Sequence, residues 1–213
     1  MPSQEPTAAE RFINGILPEN PVYRQLLGMC PTLAVTAGMK PAMTMAAATA
    51  FVLIMANIIV SLIRRLLKPH LRILVFTLTI ATFVTIADRF LAAFLPVMSD
   101  RLGPYVPLII VNCIIICRCE VCASKQGVLT AASDAVGQSI GFALGLASIA
   151  TVRELLGGGT LFALTVLPEP IWPRWGIMML PGGAFLTLGL LIGAVNAVAA
   201  WRKAKAAPEV ERT

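Results

Sequence analysis

The chain carries five cysteines, and four of them crowd one apolar stretch, VNCIIICRCEVC at residues 111–122. The fifth, Cys30, lies in LLGMCPTLAV. A thiol can pack, pair or bind a soft metal. Packing is the ordinary reading of a lone buried cysteine, which behaves as a small hydrophobe. The C-x-C-x-x-C spacing of Cys117, Cys119 and Cys122 superficially resembles a metal knuckle, but no second pair of ligands accompanies it. Packing is the better reading of those three. Hydrolytic chemistry has little to build on. The only histidine, His70, sits in the basic loop KPHLR, and Gly157–Gly159 is followed by Thr and Leu rather than Lys-Ser/Thr, so it is no phosphate loop. It reads instead as the end of a helix.

The elements that must position the thiols are set by composition. Of 213 residues, 57% are hydrophobic and 13% charged, and the mean hydropathy is +0.82. A soluble domain of this size cannot hide that much apolar surface, so lipid is the solvent for most of the chain. Backbone groups in lipid need internal partners, and the apolar runs are continuous rather than alternating, which selects helices over a barrel. The expected fold is an all-α integral membrane protein with six segments: Val22–Ala37, Ala42–Ile63, Ile73–Met98, Tyr105–Cys117, Val128–Val152 and Ile177–Ala200. The first and fourth are short against the roughly 20 residues of a crossing helix. Residues 1–20 lack the apolar core of a cleavable signal and read as a solvated arm. Residues 202–213 read as a disordered tail.

The order short, long, long occurs twice, which predicts two three-segment repeats at about 22–98 and 103–201 within one membrane domain, 21–201. Three is odd, so the copies are inverted. Twelve of the 17 basic residues fall on one side, among them Arg64, Arg65, Lys68, Arg72, Arg118 and Lys125. The positive-inside rule makes that side, and both termini, cytoplasmic. Lys40, Arg89, Arg101, Arg153 and Arg174 are left for the other. The net charge of +6 is thus topogenic and implies no nucleic-acid partner. Arg64 and Arg153 are expected to anchor helix ends, and Trp172, Trp175 and Trp201 to form an interfacial belt.

Paired interrupted segments in an inverted repeat mark a site near the membrane midplane. Here each has a cysteine near its centre, Cys30 and Cys113, and Pro31 predicts a helix break immediately after Cys30. Their depth argues against a structural disulfide. Two thiolates suit a soft metal centre, whereas an iron–sulfur cluster takes four, so a partner would supply the rest. Asp88, beside Arg89, and Asp134 are acidic residues at membrane depth and candidates for an ion pathway. For Asp88 the plainer reading is an ion pair with Arg89, and for Asp134 an interfacial cap.

Several stretches carry a resemblance to a known family. NPVYRQLLGMCPTLAVT (20–36), SLIRR (61–65), VPLIIVNCIIICR (106–118), ASK (123–125), SDAVG (133–137) and TVRELLGGG (151–159) are similar, in order, to the NqrD/RnfE family, nearer its RnfE branch. The resemblance implies a subunit of an ion-translocating ferredoxin:NAD oxidoreductase of Rnf type, not catalytic alone, in the bacterial or archaeal cytoplasmic membrane. It implies pairing with a homologous subunit of opposite orientation (RnfA), and neighbouring ferredoxin-type and flavin-bearing subunits. It also implies a [2Fe-2S] cluster shared between the pair, with LGMC and VNC assigning the ligand role to Cys30 and Cys113. The cysteines at 117, 119 and 122 depart from the family's small or apolar residues. Inverted repeats also build secondary transporters. In that alternative the thiols only line a cavity and an aspartate couples the ion.

Overall fold

The computed structural model describes residues 8–16, 19–66, 68–161, 164–165 and 176–206. Trp172, Trp175, Arg174 and the final residues 207–213 lie outside that set. Among the described residues nine α-helices follow one another: α1 Ala8–Ile16, α2 Met29–Val35, α3 Met39–Ile63, α4 Arg72–Phe94, α5 Pro96–Leu102, α6 Pro107–Ile110, α7 Cys113–Arg118, α8 Val128–Gly158 and α9 Pro181–Ala206. A π-helical turn, Cys119–Ala123, continues α7. The only extended structure described is an antiparallel pair of two-residue strands, Thr160–Leu161 and Leu164–Thr165.

Four helical stretches are long and apolar enough to cross a bilayer: Met39–Ile63, Pro69–Phe94, Val128–Gly158 and Pro181–Trp201. The pair Pro96–Tyr105 and Pro107–Ala123, bent by 55°, makes a fifth if read as one span. The protein is therefore a multi-pass helical membrane protein, with four or five such spans among the described residues. The first expected segment contains only seven helical residues, Met29–Val35, a rise of about 10 Å that falls far short of the hydrocarbon core. Expected boundaries also move at prolines. The run Ile73–Met98 is not one helix, because α4 ends at Phe94 and α5 restarts at Pro96. A proline inside the helix would lose a backbone bond and clash one turn back. The last span starts at Pro181, not Ile177, with proline again in the first turn, where its missing donor costs nothing. Gly159, at φ 64°, caps α8 as anticipated.

Helix α8 lies at the centre, packed on α3, while α4 and α9 are peripheral, with 22% of the spanning window of each buried. Polar groups on the outer helices are silenced locally. Thr77, Thr79, Thr82 and Thr85 of α4 each donate to a carbonyl one turn back. A hydroxyl facing lipid without such a bond would cost a few kcal/mol.

Two expectations about the ends are corrected. The stretch 1–20, expected to be a solvated arm, contains α1, which lies directly on α8. The backbones meet at glycines, since a Cβ on Gly137 would come within 2.5 Å of the Phe12 carbonyl oxygen. In the expected tail, 202–213, helix α9 continues to Ala206. Arg153, expected above to anchor a helix end on the outer side, is 1% exposed and ties elements together. Its guanidinium donates to the carbonyls of Leu33, Met178, Met179 and Leu180 and to Thr36 Oγ1. It thus anchors the end of α2, where carbonyls lack helical partners. Its neighbour Glu154 accepts the Met39 N–H at the start of α3. Arg64, at the end of α3, likewise ties elements together, donating to the Lys125 carbonyl at 3.1 Å.

Candidate functional site

The approach to Cys30 is built from an asparagine and a glycine stripe. Asn20 Oδ1 accepts the N–H groups of Val22 and Tyr23, and its amide donates to the Gly141 carbonyl. Tyr23 OH bonds Ser148 Oγ. Val22 seats against Gly145, where an added Cβ would come within 2.6 Å of its side chain. Gly137, Gly141 and Gly145 recur every fourth residue, so one face of α8 is bare backbone. On it rest first α1 and then the turns 20–28, as small residues allow wherever backbones must approach closely.

The chain then reverses. Leu26 and Gly28 take positive φ, 54° and 74°, and α2 begins at Met29 with Cys30 in its first turn. The interruption is therefore real but precedes the cysteine. Pro31 falls in the first turn of α2, where it breaks nothing because its donor would have no intrahelical partner there. Gly28 is required on two counts: its left-handed backbone, and the Phe142 ring, whose Cε2 would lie 2.7 Å from a Cβ.

The second interrupted segment mirrors the first in kind. Helix α6 ends at Ile110, the backbone opens at Val111 and Asn112, and α7 starts at Cys113. Asn112, 2% exposed, caps α7 by accepting the Ile114 N–H, the usual role of asparagine there.

The two interruptions meet. The Gly28 N–H donates to Cys113 Sγ at 3.0 Å. Cys30 is two residues beyond Gly28, so its backbone stands within about 8 Å of that contact. Both thiols are exposed on the surface of the isolated chain, whereas Cys119 and Cys122 are buried in the apolar core and Cys117 is intermediate. Cys30 and Cys113 thus share the two interruptions and an exposed setting, while Cys119 and Cys122 pack in the core. Among the described residues no set of three or more His, Cys, Asp or Glu side chains could hold a metal ion. What the chain offers is two soft donors and a backbone N–H aimed at one of them.

The aspartates separate. Asp134 is 1% exposed and faces Arg118, 3.5 Å away, so it is not an interfacial cap. Arg118, expected among the cytoplasmic loop charges, is instead buried at the end of α7. It also reaches Glu19 at 3.6 Å, joining the segment that enters the first interruption to the helix that leaves the second. Asp88 is half-buried on α4 and, among the described residues, makes no ion pair with exposed Arg89. His70 is exposed, as expected.

Reading the sequence missed Arg118 as a counter-ion, and missed the glycine stripe and Gly28. The stripe was findable as glycine at i, i+4 and i+8. Replacing Arg118 with Gln is expected to destabilise the protein by about 3–5 kcal/mol, because Asp134 is left charged and unpaired in the interior. The double variant R118Q/D134N should recover most of that loss. Thermal unfolding in detergent measures both.

A family model described as "Rnf-Nqr subunit, membrane protein" matches residues 8–192. The E component of the Na(+)-translocating ferredoxin:NAD(+) oxidoreductase complex of Acetobacterium woodii is 43% identical over 197 residues, covering 92% of this chain and 98% of that protein. The E component of the ion-translocating oxidoreductase complex of Methanosarcina acetivorans is 44% identical over 189 residues, covering 87% and 88%. The D component of the Na(+)-translocating NADH-quinone reductase of Pseudomonas aeruginosa (strain LESB58) is 35% identical over 207 residues, covering 95% and 91%.

Proposed function

Because this chain belongs to the Rnf-Nqr family of membrane subunits, we propose that it is the RnfE component of an ion-translocating ferredoxin:NAD oxidoreductase of Rnf type. In this reading it is an electron-transfer protein, active only within the complex. It sits in the bacterial or archaeal cytoplasmic membrane with both termini inside, its two halves forming inverted repeats. A homologous subunit of opposite orientation, RnfA-like, packs against the face that bears Cys30 and Cys113. Ferredoxin-type and flavin-bearing subunits complete the electron path. The observation that carries this reading is the meeting of the two interruptions, Gly28 N–H on Cys113 Sγ, with both soft donors left on an open face.

The donor set fits half of a [2Fe-2S] site: two cysteines here, two on the partner. When bound, such a cluster supplies a one-electron relay partway across the roughly 30 Å hydrocarbon core. The chain's own residues do the positioning. Gly28 holds the turn that carries Cys30, and its N–H bonds the Cys113 sulfur, an interaction that tunes the potential of sulfur-ligated iron. Asn112 fixes the start of α7. Phe142, buried beside Gly28, and Ile114, buried next to Cys113, keep water from the inner side. Arg118 and Arg153 lock the far ends of α7 and α2, so neither cysteine can swing away.

Iron and labile sulfide analysis, with a visible absorption spectrum, on the complex purified with its membrane partners tests this. Iron at two atoms per pair of homologous subunits is the expected result. A colourless, iron-free preparation that still moves ions through the chain alone would instead make it a secondary transporter. Asp88 and Asp134 are assigned to the ion pathway. The expected result of Asp88→Asn, or of Asp134→Asn combined with R118Q so that no buried charge is left over, is an assembled complex that passes electrons but pumps less. Unchanged pumping removes that residue from the path.

A further inference from the structure

Outside the cysteine site, a groove of 570 Å³ lies between α3 and α4. Its walls are apolar, with Met43, Ala47 and Phe51 on α3, Ile86, Phe90 and Leu91 on α4, and Leu95 just past the end of α4. Phe51, in its wall, packs edge-to-face on buried Phe83 of α4, with ring centroids 6.3 Å apart. At its other end, one turn beyond Met43 and Thr44 and on the same stripe of α3, stands exposed Lys40.

We propose that this groove is a phospholipid site, with an acyl chain in the slot and the phosphate on the Lys40 ammonium. Two observations select that occupant. The first is depth: Lys40 to Phe51 spans about 16 Å of helix, the thickness of one leaflet's half of a roughly 30 Å hydrocarbon core. The ammonium therefore stands at headgroup level when the slot lies within the leaflet. The second is charge. A cation at the mouth of an apolar slot complements the anionic phosphate, and a lysine stem reaches that level by lying along apolar surface.

The site is independent of the cluster reading, and its test uses the intact complex. Native mass spectrometry after exchange into mild detergent with phosphatidylglycerol should show a retained lipid on this chain. Ala47→Phe fills the slot and should cut retention about tenfold or more. Lys40→Gln should cut it about fivefold, the equivalent of one lost phosphate contact. Leu78→Phe, on the outer face of α4 beyond the slot, should change nothing. Retention by Ala47→Phe equal to that of the unaltered chain overturns the proposal, as does an unaltered chain without lipid. Diacylglycerol retained as well as phosphatidylglycerol overturns the role of Lys40. If Ala47→Phe does not assemble, Lys40→Gln decides, since its exposed side chain supports no packing.

Discussion

Serine in place of Cys30 or Cys113 is expected to bleach the purified complex and stop electron flow to the outer side, while the subunits stay assembled. The argument is one of ligand chemistry. A serine hydroxyl is a hard donor and a poor substitute for thiolate at iron. Residues that merely support a metal ligand already cost about 10–100-fold in affinity or activity when lost, so removing a ligand itself should cost about 100-fold or more. Cys119→Ser and Cys122→Ser should leave the iron content unchanged and act only on stability, because both thiols are buried in the apolar core. Iron content and absorbance per complex, measured beside an immunoblot for each component, separate loss of the cluster from loss of assembly. Electron transfer that survives Cys30→Ser would reduce this chain to a scaffold.

The second large effect is expected at Gly28, where alanine should destabilise the protein by about 2–5 kcal/mol. The left-handed conformation costs a residue with a Cβ about 1–2 kcal/mol, and crowding a packed aromatic adds about 1–3. The ring in the way is Phe142, itself 1% exposed and unable to retreat freely. The damage should also reach the site, because the N–H that Gly28 offers to Cys113 moves with the turn. Phe142→Leu should restore part of the stability to Gly28→Ala by opening space, while leaving the backbone cost in place. Gly189→Ala provides the contrast. That glycine lies inside α9 with nothing within 4 Å of a Cβ, so alanine there should be neutral or stabilising by up to about 1 kcal/mol. Equal losses at the two positions, read from unfolding in detergent, would show that Gly28 has no special place.

How much of this was legible beforehand depended on the range of the interaction. The long apolar runs of α3, α4, α8 and α9 announce themselves because lipid burial acts on every residue of a helix at once, whatever its neighbours. The proline boundaries at Pro96 and Pro181 were also local, and only a preference for longer segments hid them. Cys30 and Cys113 stood out from the other three thiols because each lies in a short, interrupted segment. Pro31 misled by one turn, since the same residue that breaks a helix interior is at home in its first turn.

The charged groups were the least legible. Arg118 looked like a loop cation and Arg153 like an interfacial anchor of a helix end, because sequence supplies their charge but not their partners. A guanidinium can be buried only when acceptors converge on it from distant segments, here Asp134 and Glu19 for one, and Thr36 with four carbonyls for the other. Residue order alone thus determined that this is a helical membrane protein with two interrupted segments, each holding a thiol, because hydropathy and backbone breaks are properties of adjacent residues. Only the tertiary structure decided that the two breaks touch, that α1 lies on the glycine face of α8, and which charges are paired. Those contacts join residues as many as 125 positions apart, as Tyr23 and Ser148 are, and a close approach between remote backbones depends on shape that no local pattern encodes.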